Sequence, residues 1–441
     1  MSLRGAWRRS NLKLGQDRLL RFARNDRGKL DKLMTKLDAY NEALQSGLYQ
    51  KRNGLLGKYD NVRYFWEDAE LGLYLRPYLK RLVARKKERG EGLHLLDLGC
   101  GSGDGFEFIT SINDSKSLIS EDNAKVIESD MLKFYKGIDI NEGLLGQAQA
   151  LYGNRENMSF IHSDFNDFDP GADDPYELYL ANYGSLSHNT DEQTIELLSN
   201  IAKHSQDGAL IMVDWLGRYS YEWQTLWTKD IEHNQWMDYA ISYIHSDGGA
   251  KQSEMTCFPL RIMGRQEVLN IYRQAKRKAG GAITLRKLAD RSSFVGRHMD
   301  TAQYNPCCQP LRRVVNSLFE PGLCTNLDEA LVVYVPGDGF TEVNAYYQRF
   351  ADCWNYLVTY TQALVDGGKL PEALPEMPLP LRRATRAMKG IVGAAARIKI
   401  GNARTSLIEP QLGYCLRELE MRLQRGQGCG HGLVAIFEVV K

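Results

Sequence analysis

The chain reads as a doubly wound α/β sheet, mostly parallel, with an N-terminal helical lid and a large, mainly helical C-terminal insertion or cap. Three observations predict this. A short apolar run, Leu93, Leu95, Leu96 and Leu98, breaks into four alternate glycines, Gly99, Gly101, Gly103 and Gly105, and then into a helix-like segment from Phe106 to Ile109. Strand-like and helix-like patterns then alternate through five repeats, the rhythm of a parallel sheet covered by helices. Finally, 441 residues are more than one such domain needs, so two lobes or a large insertion is expected.

The glycine turn is the first element. Strand, tight turn and helix N-terminus together bring backbone N–H groups against a ligand. A dinucleotide fingerprint needs Gly-x-Gly-x-x-Gly. Counted from Gly99, Gly101 or Gly103, the third glycine falls on Asp104, Phe106 or Phe108, so every register fails. The stretch Leu96-Asp-Leu-Gly-Cys-Gly-Ser-Gly103 instead resembles the first motif of class I methyltransferases that use S-adenosylmethionine. The resemblance implies that Gly99, Gly101 and Gly103 wrap the amino-acid half of that cofactor, with Asp97 helping to hold it, and that S-adenosylhomocysteine is the product.

Later elements follow in order. Phe134 to Ile140 is a second strand ending in an acid, and Asp139 stands where a carboxylate takes both ribose hydroxyls, with Ile140 beside it. The separation from the glycine turn exceeds the usual roughly twenty residues. The polar stretch Asn113 to Asp130 absorbs the excess as a surface insertion. Met158 to Phe165 is a third strand; the resemblance implies that Asp164 meets the adenine amino group and that Phe165 packs on the ring. Tyr176 to His188 is a fourth strand running into a loop, Asp191 to His204 an amphipathic helix, and Ala209 to Trp215 a fifth, buried strand. Glu267 to Lys278 and Ile283 to Leu288 form a sixth unit. The last strand is then displaced to Gly432–Lys441, with Val332 to Val335 as the competing candidate.

These elements divide the chain into a basic, disordered tail (1–33), a helical lid (34–90), the cofactor-binding sheet domain (91–292), a mainly helical cap (293–430) and a final strand (431–441). Tyr59 to Trp66 crowds aromatics just before the sheet domain. It is similar to the lid of small-molecule methyltransferases, which puts Tyr59 and Arg63 against the cofactor.

Composition sets the outer bounds. Hydrophobic residues at 43%, charged residues at 25% and a net charge of +1 describe a soluble globular protein with no global pull towards nucleic acid or membrane. No apolar run approaches the roughly 20 residues of a spanning helix, and the N-terminus lacks the apolar core of a signal peptide. Eight cysteines without a Cys-x-x-Cys pair predict a reduced, cytoplasmic protein with no metal site.

Methyl transfer from a sulfonium needs alignment and exclusion of water, and a base only where the nucleophile carries a proton. The loop after the fourth strand supplies Asn182 as a cofactor contact, Tyr183 near the methyl group and His188 as base or substrate anchor. Trp215, Tyr219 and Tyr221 form an aromatic wall for the acceptor, and Arg297, His298 and Tyr304 a polar cluster that could hold its anionic group. The expected acceptor is an oxygen or nitrogen of a small metabolite or natural product, and homodimerisation stays open. Two alternatives stand beside this: an RNA methyltransferase using the basic segment 382–404, and a non-catalytic cofactor-binding regulator.

Overall fold

The computed structural model describes residues 27–51, 55–114, 124–128, 130–169, 173–231, 233–245, 255–398 and 401–441, with backbone only for 27–33. Helix α1 (Arg27–Gln45) leads through a loop and a π-helical turn (Arg63–Asp68) into α2 (Ala69–Glu88). The sheet domain then runs β1 (Leu93–Leu98), α3 (Asp104–Ser111), β2 (Leu132–Asp139), α4 (Glu142–Tyr152), β3 (Met158–His162), β4 (Leu178–Ala181), α5 (Asp191–His204) and β5 (Leu210–Gly217). A hairpin of β6 (Trp236–Ala240) and β7 (Cys257–Met263) follows, then α6 (Arg265–Lys278) and β8 (Ile283–Arg291). Helices α7 (Leu311–Leu318), α8 (Thr341–Asp366), α9 (Leu379–Ala395) and α10 (Glu409–Leu423) precede β9 (Gly432–Val439).

The sheet order is β3-β2-β1-β4-β5, all parallel, continued by β9 and β8. Strand β9 slots antiparallel between β5 and β8, so the C-terminal segment, and not Val332 to Val335, completes the sheet. The 332–335 segment is extended loop; the Val332 N–H donates to Asn355 Oδ1 at 2.7 Å. The two-residue period of β5 serves both faces. Ile211, Val213 and Trp215 pack under α5 and α6, while Leu210 and Met212 pack under α2 and α3. Helix α5 starts on a capping box, Thr190 with Gln193, which satisfies two otherwise orphaned donors.

Three features depart from the sequence expectation. The helix that opens the lid begins at Arg27, inside the segment read as tail; residues 1–26 of that segment lie outside the described residues. The hairpin β6–β7 has no counterpart in the sequence reading. It forks from the sheet at the very end of β5, where only Leu216 and Gly217 pair with Ile262 and Met263. Finally, the helical insertion builds its own core from α7 to α10, and that core also takes in Val62, Trp66, Tyr221 and Trp227. Lid, loop after β5 and insertion therefore form one packed body over the strand ends. Among the described residues no helix is long and apolar enough to cross a membrane, and no cluster of His, Cys, Asp and Glu could hold a metal ion.

A buried ionic cluster ties these parts together. Arg312 on α7 donates to both oxygens of Asp60, at 2.7 and 2.8 Å, and to Glu67 Oε1 at 3.0 Å. Arg291 at the end of β8 and Arg297 in the insertion also face Glu67, at 3.1 and 3.5 Å. Burial pulls the Glu67 carboxyl upward, and Arg312, Arg291 and Arg297 overcome that pull, leaving it well below the ordinary carboxylate range.

Candidate active site

The C-terminal ends of β1, β2, β4 and β5 open into a cavity of about 230 Å³, roofed by α1 and the following loop and walled by the β6–β7 hairpin. In open α/β sheets this edge is where ligands bind.

The glycine turn forms its floor. Gly99, Gly101 and Gly103 have φ of 73°, 53° and 81°, in the left-handed region. A Cβ on Gly99 would lie 2.7 Å from Ser185 Oγ, and one on Gly101 would point at Lys58 Nζ. Gly99 and Gly101 line the cavity; Gly103 turns away and packs on Tyr152. Asp97 lies under the turn, its Oδ2 accepting from Tyr135 at 2.6 Å. Burial pushes its carboxyl up to about 7, with the Tyr135 hydrogen bond opposing.

Asp139 ends β2 with one oxygen accepting from the Gly101 N–H and the other from the Asn141 N–H, both at 2.8 Å. A carboxylate has about four acceptor sites, so each oxygen keeps capacity for a hydroxyl. Ile140, Asp164 and Phe165 line the same end of the cavity. The Asp164 Oδ1 accepts from the Asn166 N–H at 2.9 Å. Asn182, at the exit of β4, has a buried Oδ1 with no partner, and a buried acceptor left empty is costly unless a ligand meets it.

Around the floor the lid residues arrange charge. Asp104 accepts from Tyr59 at 2.7 Å and pairs with Lys58 at 3.0 Å. Tyr59 is therefore a support behind the cavity, not a cofactor contact as its sequence position suggested. Arg63 does reach the cavity, stacked 3.2 Å from the centroid of the Tyr183 ring, with Arg291 at 4.8 Å from the same centroid. Tyr183 has φ 59°, a strained value for a residue with a Cβ, and its hydroxyl donates to Asp68. Burial raises this phenol well above its usual range. It is a positioned, protonated wall of the cavity rather than a proton acceptor.

His188 lines the cavity with Nε2 3.3 Å from the Tyr40 hydroxyl and its ring stacked on Phe258. Burial first, then Lys36, pushes the imidazole well below its usual value, so the ring is neutral. That fits an anchor better than a base.

The expected acceptor wall lies elsewhere. Trp215 is buried beneath the sheet's helices, and Tyr219 and Tyr221 pack in the seam between sheet and insertion, where the Tyr221 N–H donates to Tyr347 at 2.9 Å. His298 is fully buried, and Tyr304 pins the hairpin by accepting from the Ala240 N–H at 2.7 Å. None of these five lines the cavity. The reason is the insertion: it needs an apolar seam, and the aromatics after β5 supply it. Arg297 does line the cavity, yet its guanidinium is spent on the carbonyls of Gly57 and Lys58 at 3.1 and 2.8 Å. Away from the glycine turn the cavity is lined instead by Tyr239, Tyr243 and Leu260 of the hairpin region with Lys36, Tyr40 and Tyr49 of the lid; the Tyr49 and Tyr243 hydroxyls meet at 2.6 Å.

Sequence reasoning also missed His431, which lines the cavity at the start of β9. A signal was present: Gly426, Gly428, Gly430 and Gly432 repeat the alternate spacing of the first glycine turn. A Cβ on Gly428 would meet the carbonyl of Met263 at 2.6 Å and one on Gly430 would lie closer still to the carbonyl of Arg291, so this strand enters the sheet through a gap with no room for a side chain at those two positions.

No protein-family model matches the chain, and no curated protein matches it. Solved structures similar to it include the magnesium protoporphyrin IX methyltransferase of Synechocystis PCC 6803 with bound S-adenosylhomocysteine, at 14% identity over 59% of this chain and 93% of that one, TM-score 0.32. Another is an S-adenosylmethionine-dependent methyltransferase from Clostridium acetobutylicum ATCC 824, at 10% identity over 49% and 83%, TM-score 0.29. A third is the N-methyltransferase NodS of Bradyrhizobium japonicum WM9 with S-adenosylhomocysteine, at 12% identity over 48% and 77%, TM-score 0.26. At these values the likeness carries no argument about activity. The chain's own sheet order, with a reversed strand β9 inside the edge strand β8, is the doubly wound, mostly parallel sheet expected from the sequence.

Proposed function

We propose that the protein is an S-adenosylmethionine-dependent methyltransferase acting on an oxygen or nitrogen of a small molecule enclosed between lid, strand ends and hairpin. The observation that carries the reading is the donor and acceptor set at the strand ends. The left-handed Gly99 and Gly101 leave the main chain bare, Asp139 holds two oxygens with free capacity, and Asn182 offers an unmet buried acceptor. In this reading Asp139 takes the ribose hydroxyls, Ile140, Asp164 and Phe165 hold the adenine end, and Asn182 accepts from the amino group of the methionine arm. The bound cofactor supplies an already activated methyl group.

The chain's residues then orient and exclude water. Arg63 and Arg291 clamp Tyr183 at the mouth of β4, His188 and Tyr40 anchor the acceptor, and Tyr239 and Tyr243 close it in. A small acceptor is favoured by the lid residues Lys36, Tyr40 and Tyr49 and the hairpin-region residues Tyr239, Tyr243 and Leu260, which line the cavity from two sides. The competing RNA reading rests on α9, where Arg382, Arg383, Arg386 and Lys389 are exposed. None of them lines the cavity. We also take the protein to be cytoplasmic; every described cysteine is unpaired.

The test mixes methyl-labelled cofactor with the protein and an extract of its source cells, and measures cofactor affinity by calorimetry in parallel. Label in the small-molecule fraction is expected. Label in RNA would replace this reading with the α9 alternative. Cofactor binding without transfer to any fraction would turn it into that of a regulator.

A further inference from the structure

The cavity holds a second histidine with a different environment from His188. His431 places its Nδ1 2.7 Å from Glu222 Oε2, deep under the hairpin. Glu222 is fully buried and cannot turn away. Its Oε1 accepts from the His298 N–H at 2.5 Å, its Oε2 from Ser220 Oγ at 3.1 Å, and Gly296 packs against it so closely that a Cβ there would collide with the carboxylate. Burial pulls this carboxyl up, but His431 and His298 overcome it and keep it below its ordinary value, so it is ionised. An ionised carboxylate only accepts hydrogen bonds. Facing that carboxylate, Nδ1 carries a hydrogen, so in the neutral ring the lone pair lies on Nε2.

Among the described residues the ring's hydrogen bond is the one from Nδ1, none is made by Nε2, and the residue lines the cavity. The main chain fixes the ring's base: the His431 N–H donates to the Ser292 carbonyl, and its own carbonyl accepts from the Gly217 N–H, both at 3.1 Å. Trp223 and His298 hold its faces, with ring centroids at 5.6 and 6.0 Å. A rigid acid holding one imidazole nitrogen of a ring that borders a ligand chamber is the arrangement of an oriented general base.

We propose that His431 Nε2 is the proton acceptor of this site, that Glu222 is its positioning residue, and that the acceptor substrate presents a hydroxyl there. This rests on the methyl-transfer reading. In the step, the hydroxyl proton moves to Nε2, the oxygen keeps the electron pair and forms the new bond to the methyl carbon, and the carbon–sulfur pair remains on the departing thioether. One positive charge is consumed at sulfur and one appears on the imidazole, opposite the Glu222 carboxylate. The product is a methyl ether or ester.

The first readout needs no cofactor. Nitrogen-15 NMR of the full chain labelled at its eight histidines assigns His431 by the signals lost in His431→Asn. Above the imidazole titration a single tautomer with hydrogen on Nδ1 is expected, and Glu222→Gln should abolish that single-tautomer bias while the remaining spectrum stays folded. A hydrogen on Nε2, or no bias in the native chain, overturns the proposal. The second readout is methyl-label transfer in the extract assay. His431→Asn should lower it at least about 100-fold, the low end for an acid–base group, with cofactor affinity unchanged within twofold. Transfer within threefold of native overturns the proposal. If the native chain binds no cofactor, the methyl-transfer reading falls on its own, and the tautomer still reports on the dyad.

Discussion

Replacing Arg312 with methionine isolates the linkage between lid, sheet and insertion. The guanidinium makes two bonds to Asp60, one to Glu67 and one to the Val295 carbonyl at 2.7 Å. Methionine fills much of the volume but leaves Asp60 with only the Arg63 N–H at 2.9 Å and Asn316 Nδ2 at 3.1 Å. Breaking a buried pair from one side costs roughly 3–5 kcal/mol. Unfolding entropy near the midpoint is about 2.1 cal/mol/K per residue. For 441 residues melting as one unit, that is about 0.9 kcal/mol/K, so the midpoint should fall by about 3–5 °C. Cofactor affinity should fall with it, because the π-helical turn that Asp60 anchors carries Arg63 over Tyr183. Differential scanning calorimetry with and without cofactor reads both effects. A midpoint within 1 °C of native would refute the idea that this cluster holds the lid onto the insertion.

Asp139→Ala removes two proposed ribose contacts and should weaken cofactor binding at least tenfold, about 1.4 kcal/mol; calorimetric affinity equal to native would remove the ribose assignment. Two buried carboxyls should give opposite pH dependences. Glu67 has a folded pKa well below its unfolded one, so its contribution is full at neutral pH and is lost progressively as pH falls from the unfolded carboxyl value through the folded one; Arg312→Met, which raises the folded value, should make that acid decline shallower than native. Asp97, pushed up to about 7, holds its proton in the folded state where the unfolded chain has released it. Native stability should therefore decline as pH rises from about 4 towards 7, and Asp97→Asn should flatten that decline in urea titrations. Tyr40→Ala, which removes the His188 partner and part of the roof, should lower methyl-label transfer more than it lowers cofactor affinity; equal losses would place Tyr40 on the cofactor side.

Much of the cavity floor was legible because its signals are local. Gly99, Gly101, Asp139 and Asp164 follow strand after strand in a short alternating pattern, and each sits at a strand exit, where backbone geometry alone sets its direction. The opposite wall of the cavity was not legible, for a physical reason that separates Tyr221 from Tyr239. Both are aromatics shortly after β5, and composition cannot say which of them meets another helix. Tyr221 is claimed by the insertion core, whose Tyr347 reaches back over more than a hundred residues to its N–H; Tyr239 lies on a hairpin that no periodicity announced. The same holds more sharply for the charged groups. Glu222 and His431 lie 209 residues apart, and only the passage of the last strand through the glycine-lined gap beside β5 brings them together. A dyad assembled by the final strand of the sheet has no sequence pattern of its own. The alternate glycines from Gly426 to Gly432 mark the gap that makes it: a Cβ at Gly428 or Gly430 would collide with the main chain of Met263 or Arg291, and β9 would stand off from its neighbours with His431 no longer reaching the carboxylate.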